Sequence, residues 1–239
     1  MFNTSINDVL VPESDDDPIK VTLASGEVLN IDMFLYAAGR NGNVKDLNCE
    51  KAGLTIRKRE TFKVNKFYQT EVPHIYAVGD VIGFPALAST GMDQGRIAVE
   101  HMFKVGDLGQ LMDIFPYGIY TIPEVSMVGK TGEEVEKKNI DYFVGRSYYK
   151  DMARGRIMGV KDDAYMKLIF DRTTQVILGV HIIGNMACEL IHYGAALVKY
   201  KKNINDVLTM VFNYPSLHDL YKYACYDGLG NLSGHKIKD

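Results

Sequence analysis

Ile75-Tyr76-Ala77-Val78-Gly79-Asp80-Val81 is the stretch on which the fold turns. The apolar run from Ile75 to Val78 predicts a short strand buried on both faces. It ends in a glycine and a carboxylate. Pro73 stands just outside it, where a missing N–H is tolerated. Thr70 lies upstream. Downstream come Leu87-Ala88-Ser89 and then a helical pattern from Gly91 to Phe103, with Ile97, Ala98, His101 and Met102 on one side and Gly106 as its closing residue. A carboxylate at the carboxyl end of a strand can accept a hydrogen bond from a ligand hydroxyl, and the glycine before it allows close backbone approach. The helix that follows would point its free N–H groups and dipole at the same crevice. An aspartate that only caps a turn has the same spacing.

Working outward, residues 19–40 read as β structure. Ile19–Leu23 alternates, Ala24-Ser25-Gly26-Glu27 can turn, and Val28–Ile31 returns. Met33–Ala37 is a short apolar run suited to a strand buried on both faces, ending at the loop signal Ala38-Gly39-Arg40-Asn41-Gly42. Residues 107–116 read as a connector, with a domain boundary near 110. Beyond it, strands are predicted at 117–121, 125–128, 142–149, 165–170 and 176–183, with Thr173-Thr174-Gln175 as a hairpin tip. Thr131-Gly132-Glu133-Glu134 is a capping box opening a helix. Further helices are expected at 187–200, 204–211 and 216–229. Strands followed by helices indicate an α+β domain with an antiparallel sheet.

The composition sets limits. With 239 residues, 46% of them hydrophobic, the chain can bury one or two cores. A net charge of −3 gives no basic surplus for nucleic acid, and Asp15-Asp16-Asp17 is too short for an acidic tail. No apolar run reaches transmembrane length, and the start Met1-Phe2-Asn3-Thr4 is unlike a signal peptide, so the chain reads as cytoplasmic with no membrane partner. Cys49, Cys188 and Cys225 are far apart, which fits reduced, partly buried thiols and no local dithiol or zinc knuckle. Cys188, Glu189 and His192 fall near one helix face, a pattern read as packing, and no metal site is expected.

Thr70–Asp80 resembles the second flavin motif of the pyridine nucleotide–disulfide oxidoreductase family. Leu87-Ala88-Ser89, followed by Gln94-Gly95, is similar to the stretch whose backbone meets the flavin. Ala37-Ala38-Gly39-Arg40 resembles the turn that closes the nicotinamide-binding domain, with Ala38 in place of threonine. Thr121-Ile122-Pro123-Glu124-Val125 with Gly129, and Leu178–Gly184 followed by Glu189-Leu190-Ile191, resemble the interface domain. The resemblance covers nearly the whole chain from residue 19. It implies the end of a nicotinamide-binding domain at 1–40, the C-terminal portion of an FAD-binding α/β domain at 41–110, and a dimerisation domain with an antiparallel sheet plus helices at 111–239. It also implies FAD and NAD(P) as cofactors and a homodimer as the state. Gly79, Asp80, Leu87, Ala88 and Ser89 become the candidate flavin-binding residues.

Asn213-Tyr214-Pro215-Ser216-Leu217-His218-Asp219 occupies the place where the family's disulfide reductases resemble His-Pro-Thr-x-x-Glu. Tyr214 replaces the histidine that shuttles a proton to substrate thiol, and Asp219 the glutamate that orients it. A phenol, with an ordinary pKa of about 10, is a poor thiol proton shuttle at neutral pH. The Asn-Tyr-Pro sequence is similar to the family's soluble transhydrogenases, in which hydride passes between NADPH and NAD through flavin without a dithiol. Tyr214 and Asp219 are therefore candidate catalytic residues, while Ser216–Asp219 also fits a capping box that would leave Asp219 a purely structural role. The Tyr214–Pro215 bond is a candidate cis peptide. Tyr214, Tyr221, Tyr223 and Tyr226 are read as packing and dimer contacts.

The glycine-rich dinucleotide turns of the family do not occur in this chain; Gly228–Gly234 misses the spacing by one residue and reads as a helix terminus and tail. FAD and NAD(P) binding by this chain alone is therefore expected to be weak or absent, with a separate N-terminal half as a candidate partner. Residues 1–105 are expected to be less stable than 111–239. The competing readings are the C-terminal part of an FAD-dependent NAD(P) transhydrogenase, a dihydrolipoamide dehydrogenase-like disulfide oxidoreductase, and a non-catalytic dimerisation module.

Overall fold

A computed structural model describes residues 1, 3–14, 16–106, 111–161 and 163–234. The chain divides into two units, Met1–Leu108 and Gly109–Asp239. The boundary expected near 110 falls on residues 107–110, outside the described residues.

The first unit opens with a three-stranded antiparallel sheet in the order β1 (Ile6–Leu10), β2 (Ile19–Leu23), β3 (Val28–Ile31). Alternation in β2 buries Val21 and Leu23 on one face. β1 carries no such pattern, because its side chains are largely exposed and its place is set by backbone pairing with β2. A second, small core gathers Val44, Cys49, Phe62 and Ala77, with Leu54, Val64, Val81 and Ile82 against them.

Two strand expectations fail here. Met33–Ala37 joins no sheet, and Met33, Leu35 and Tyr36 are 85%, 85% and 73% exposed. A strand buried on both faces needs neighbours in its sheet and layers above and below, and the described residues supply none. Ile75–Val78 is extended but forms only one bridge, Tyr76 to Gln69. Thr70 shapes this segment: its hydroxyl donates to the Ile75 carbonyl at 2.9 Å, and its N–H donates to the same oxygen at 2.9 Å. The helix α1 spans Ala88–Phe103, starting three residues before Gly91. Lys104, in the left-handed region at φ 54°, closes it by donating its N–H to the Glu100 carbonyl, two residues ahead of the expected Gly106.

The second unit is α+β. Its strands are β4 (Tyr117–Ile119), β5 (Val125–Gly129), β6 (Tyr142–Tyr148), β7 (Tyr165–Asp171) and β8 (Ile177–Ile183), all antiparallel in the order β4-β5-β8-β7-β6. The helices are α2 (Gly132–Lys137), α3 (Ala153–Ile157), α4 (Ala187–Lys199), α5 (Ile204–Leu208) and α6 (Asp219–Ser233). The expected capping box forms at α2: Thr131 Oγ1 accepts from Glu134 N–H and Glu134 accepts from Thr131 N–H. The 171–175 turn is the expected hairpin tip, with Asp171 Oδ1 accepting from the N–H groups of Thr173 and Thr174.

The core lies between the sheet and helices α4 and α6, built from Leu168, Phe170, Val180, Ile182, Leu190, Ile191, Leu220 and Ala224 among others. Close approach of α6 to β6 depends on glycine. A Cβ at Gly145 would fall on the Ala224 carbonyl, with Gly228 N 2.7 Å away, and one at Gly228 would lie 2.9 Å from the Phe170 ring. Gly228 and Gly230 therefore lie inside α6, which runs on to a left-handed cap at Gly234. From α6, Asp227 Oδ2 accepts from Arg146 N–H at 2.8 Å and Asn231 Nδ2 donates to the Val144 carbonyl at 2.9 Å. The outer edge of β6 is thus occupied by the chain's own side chains.

The capping box expected at Ser216–Asp219 does not form. Ser216 Oγ accepts from the N–H of His218, two residues on, at 3.2 Å. A turn of that kind delays the helix, which starts at Asp219 with no side-chain cap.

Candidate functional site

Gly79 begins a single 3-10 turn, Gly79–Ile82, and sits in the left-handed region at φ 75°, where a side chain would be strained. Its N–H donates to Gln94 Oε1 at 2.7 Å, and Gln94 is a buried residue of α1. Gly91, also on α1, faces the same glycine: a Cβ there would stand 3.3 Å from Gly79 Cα. These two contacts bring the start of α1 against the Gly79–Asp80 turn. Gln94 was visible in the sequence as part of the Gln94-Gly95 pair, but its bond to Gly79 was not.

The start of α1 is open. Intrahelical bonding begins with Gly91 N–H to the Leu87 carbonyl at 3.0 Å, and Leu87 has no side chain that can cap. The N–H groups of Ala88, Ser89 and Thr90 are the free donors of a first turn. No acidic residue lies in that turn, so the helix dipole there is uncompensated locally. Thr90 does not cap either; its hydroxyl donates to the Leu87 carbonyl at 2.7 Å. Asp80 is exposed, and its carboxylate makes no hydrogen bond or ion pair with a described residue. The structure thus brings Gly79 against α1 at Gly91 and Gln94, with the exposed Asp80 following Gly79 in the turn and Leu87, Ala88 and Ser89 at the open start of the helix. Such a set fits a ligand that has both hydroxyls and an anionic edge, as a flavin does.

The contact of the turn with α1 is braced from the other end of the helix. Tyr76 Oη lies 2.7 Å from His101 Nδ1, Gln69 Nε2 donates to the same phenol at 3.3 Å, and Phe67 stacks on His101 with ring centroids 4.3 Å apart. This Tyr–His pair ties the extended segment to α1. The sequence offered no signal for it beyond the two residues' presence.

Tyr214 and Asp219 lie in the second unit. Tyr214 is 76% exposed, and its peptide bond to Pro215 is cis, as are Phe84–Pro85 and Ile122–Pro123. Asp219 is the half-buried first residue of α6. Behind this loop His218 stands among the rings of Phe212, Tyr193 and Tyr221. Tyr221 is fully buried; its hydroxyl donates to the Leu190 carbonyl at 2.7 Å and accepts from Gly194 N–H at 3.0 Å. Burial raises its pKa well above the ordinary phenol value. Tyr223 and Tyr226 are exposed on the same helix. Cys188 faces the carbonyls of Ile119 and Val125, while Glu189 and His192 are exposed; no group of three metal-ligating side chains occurs among the described residues.

Residues 1–95 match the family model described as pyridine nucleotide-disulphide oxidoreductase, and residues 115–225 match that family's dimerisation domain. The chain is 44% identical over 223 residues to a protein of Enterobacter sp. (strain 638) named soluble pyridine nucleotide transhydrogenase, covering 92% of this chain and 48% of the relative. A protein of the same name from Aliivibrio fischeri is likewise 44% identical, covering 92% and 47%. The chain spans about half the length of the curated relatives it matches. Among solved structures, LpdA from Mycobacterium tuberculosis has a TM-score of 0.75 at 24% identity, covering 94% of this chain and 48% of that one. The Cu(II) complex of the HOCl-induced flavoprotein disulfide reductase RclA from Escherichia coli has a TM-score of 0.78 at 23% identity, covering 92% and 49%. These likenesses support the fold.

Proposed function

Because the chain belongs to the pyridine nucleotide–disulphide oxidoreductase family, carrying two successive domains of it, we propose that it forms the flavin-edge and dimerisation part of an FAD-dependent NAD(P) transhydrogenase. The observation that carries this reading is the contact of the Gly79–Asp80 turn with the uncapped start of α1. FAD, when bound, would supply the hydride-carrying chemistry between NADPH and NAD. This chain's residues would hold and orient it. Asp80 would accept from a ribityl hydroxyl. The N–H groups of Ala88 and Ser89, with the helix dipole behind them, would favour negative charge at the flavin's pyrimidine edge. Gly79 would let the backbone approach.

Tyr214, exposed before its cis bond to Pro215, and Asp219, the first residue of α6, remain the candidate residues of the second unit for that chemistry. Tyr214 in place of a histidine weighs against disulfide chemistry of the dihydrolipoamide dehydrogenase kind, and the transhydrogenase relatives weigh for direct hydride transfer. The dimerisation-domain match, with Val211 91% and Tyr214 76% exposed, supports a homodimer through the second unit. The relatives' name supports a soluble protein.

FAD titration followed by flavin fluorescence tests the site. The chain alone should bind FAD too weakly to retain it through desalting, yet measurably. Asp80→Ala and Gly79→Val should each lower the affinity about tenfold, equivalent to ~1.4 kcal/mol. An affinity that neither substitution moves would sink the assignment. FAD that binds with the expected sensitivity but never supports NADPH-to-NAD transfer, even with the rest of the fold supplied, would leave a flavin-binding dimer module.

A further inference from the structure

We infer that Tyr76 and His101 are a positioning pair: their contact sets how α1 lies on the Gly79–Asp80 turn, and with it where the free N–H groups at the helix start stand. The inference rests on the flavin reading above.

Two polar contacts join residues 76–79 to α1. Gly79 N–H donates to Gln94 Oε1 at 2.7 Å, and Tyr76 Oη lies 2.7 Å from His101 Nδ1. The later residue of one segment meets the earlier residue of the other, so segment and helix run antiparallel here. Gln94 and His101 are seven residues apart, which spans about 10.5 Å along a helix. Tyr76 and Gly79 are three residues apart, which spans about 10 Å along extended chain. The two spacings match, so both contacts form without bending either element. Gln94, Ile97, Ala98 and His101 share one face of α1 at i, i+3, i+4 and i+7, with the buried Ile97 and Ala98 between the polar ends. Apolar contact alone is non-directional and lets a helix slide or pivot. A hydrogen bond at each end of the face removes that freedom.

The Tyr76–His101 contact also has a fixed polarity. Asn65 Oδ1 accepts from the N–H groups of Phe67 and Gln69 at 2.9 and 3.1 Å, which turns its amide nitrogen to Gln69 Oε1 at 3.1 Å. Gln69 Nε2 then donates to the Pro73 carbonyl at 2.8 Å and to Tyr76 Oη at 3.3 Å. Backbone groups that only donate or only accept thus orient both amides. Gln69 already supplies one hydrogen to the phenol oxygen, which leaves the phenol's own hydrogen for His101 Nδ1. The imidazole accepts there and carries its hydrogen on Nε2. Phe67 fixes the plane of the imidazole, stacked on it with centroids 4.3 Å apart and planes 14° apart. His101 is therefore held both at its nitrogen and at its ring face.

The test pairs hydrogen exchange at the Gly79 amide, which reports the seating of α1 without any ligand, with FAD titration followed by flavin fluorescence. Tyr76→Phe keeps the ring and removes the hydrogen. His101→Leu removes the acceptor, and His101→Asn puts an amide oxygen close to the place of Nδ1. Tyr76→Phe and His101→Leu should each speed Gly79 exchange and weaken FAD binding about fivefold, the worth of one hydrogen bond. His101→Asn should stay within about twofold of wild type. Tyr76→Phe combined with His101→Leu should cost no more than either alone, because both remove one contact. Imidazole nitrogen NMR shifts should place the hydrogen on Nε2. Circular dichroism checks folding, and Tyr76→Phe, which loses only a hydroxyl, keeps the test decisive if His101→Leu does not fold. Gly79 exchange that neither substitution moves would overturn the proposal. So would an imidazole hydrogen found on Nδ1, or FAD affinity that falls in Asp80→Ala but not in Tyr76→Phe or His101→Leu. If Gly79 exchange responds as expected while FAD affinity ignores Asp80→Ala and Gly79→Val, the seating of α1 stands and the flavin reading falls.

Discussion

Replacing His181 with leucine should make the second unit resistant to mild acid. His181 lies in β8, opposite Met127 of β5 and Lys167 of β7. Both ring nitrogens are buried without a hydrogen-bond partner. The charged groups around it are Lys167 on β7 and Glu133 and Glu134 at the start of α2; β5 contributes none at that position. Burial, helped by Lys167 and opposed by the two glutamates, lowers its pKa from 6.5 to about 4. The imidazole is therefore neutral in the folded state where the unfolded chain already binds a proton. Its contribution to stability is fully present above pH 6.5 and is lost as the pH falls from there toward 4. The gap amounts to about 3 kcal/mol at the acid limit and about 2 kcal/mol at pH 5. Leucine removes the titration and gives up no hydrogen bond. Urea unfolding, read by hydrogen exchange in peptides covering β7 and β8, should show wild type losing about 2 kcal/mol more than His181→Leu between pH 7.5 and pH 5. Equal losses in the two proteins, within about 0.5 kcal/mol, would refute the reasoning.

Three further outcomes are expected. Gly145→Ala should destabilise the second unit by about 3 kcal/mol or more in urea, because the new methyl must displace α6 from β6; a loss below about 1 kcal/mol would mean that α6 yields freely. Tyr221→Phe should cost about 1–3 kcal/mol by removing a buried hydroxyl bonded to Leu190 and Gly194, and a neutral effect in thermal melts would contradict that network. Cys49, Cys188 and Cys225 are all buried, and burial pushes the Cys225 thiol up to about 12. Native protein at pH 8 should react slowly with a thiol-specific chromogenic reagent and fully once in urea; a fast-reacting thiol in the native protein would show that one of these sites opens readily.

The strands after residue 117 and four of the five described helices were legible from their patterns and punctuation, whereas the five-residue α3, with no capping side chain to mark its start, was not expected. β6 alternates while β7 and β8 are apolar runs, Thr131 and Glu134 form the cap that their types and spacing announce, and Asp171 with Thr173 and Thr174 closes the hairpin. β1 was silent because an exposed edge strand has no buried face to leave a pattern. Met33–Ala37 misled for the opposite reason. Its composition suits a buried strand, but a strand buried on both faces also needs neighbours on either side, and the described residues supply none. At Ser216 the residue types of a capping box were present, but the hydroxyl closed a shorter turn and moved the start of α6 to Asp219.

For the candidate site, the sequence by itself supplied the candidates, because Gly79, Asp80 and Leu87–Ser89 stand in the order of the motif they resemble and their types suit hydroxyls and negative charge. Tertiary structure alone decided that the Gly79 turn lies against α1. Gly79 N–H reaches Gln94, fifteen residues on, and Gly91 lets α1 come within van der Waals distance of Gly79. Neither contact has a periodic signature, because each depends on how two segments pack rather than on the preference of either one. The same holds for His181, whose place in β8 was expected but whose unpartnered burial arises only when α2, β5 and β7 close around it.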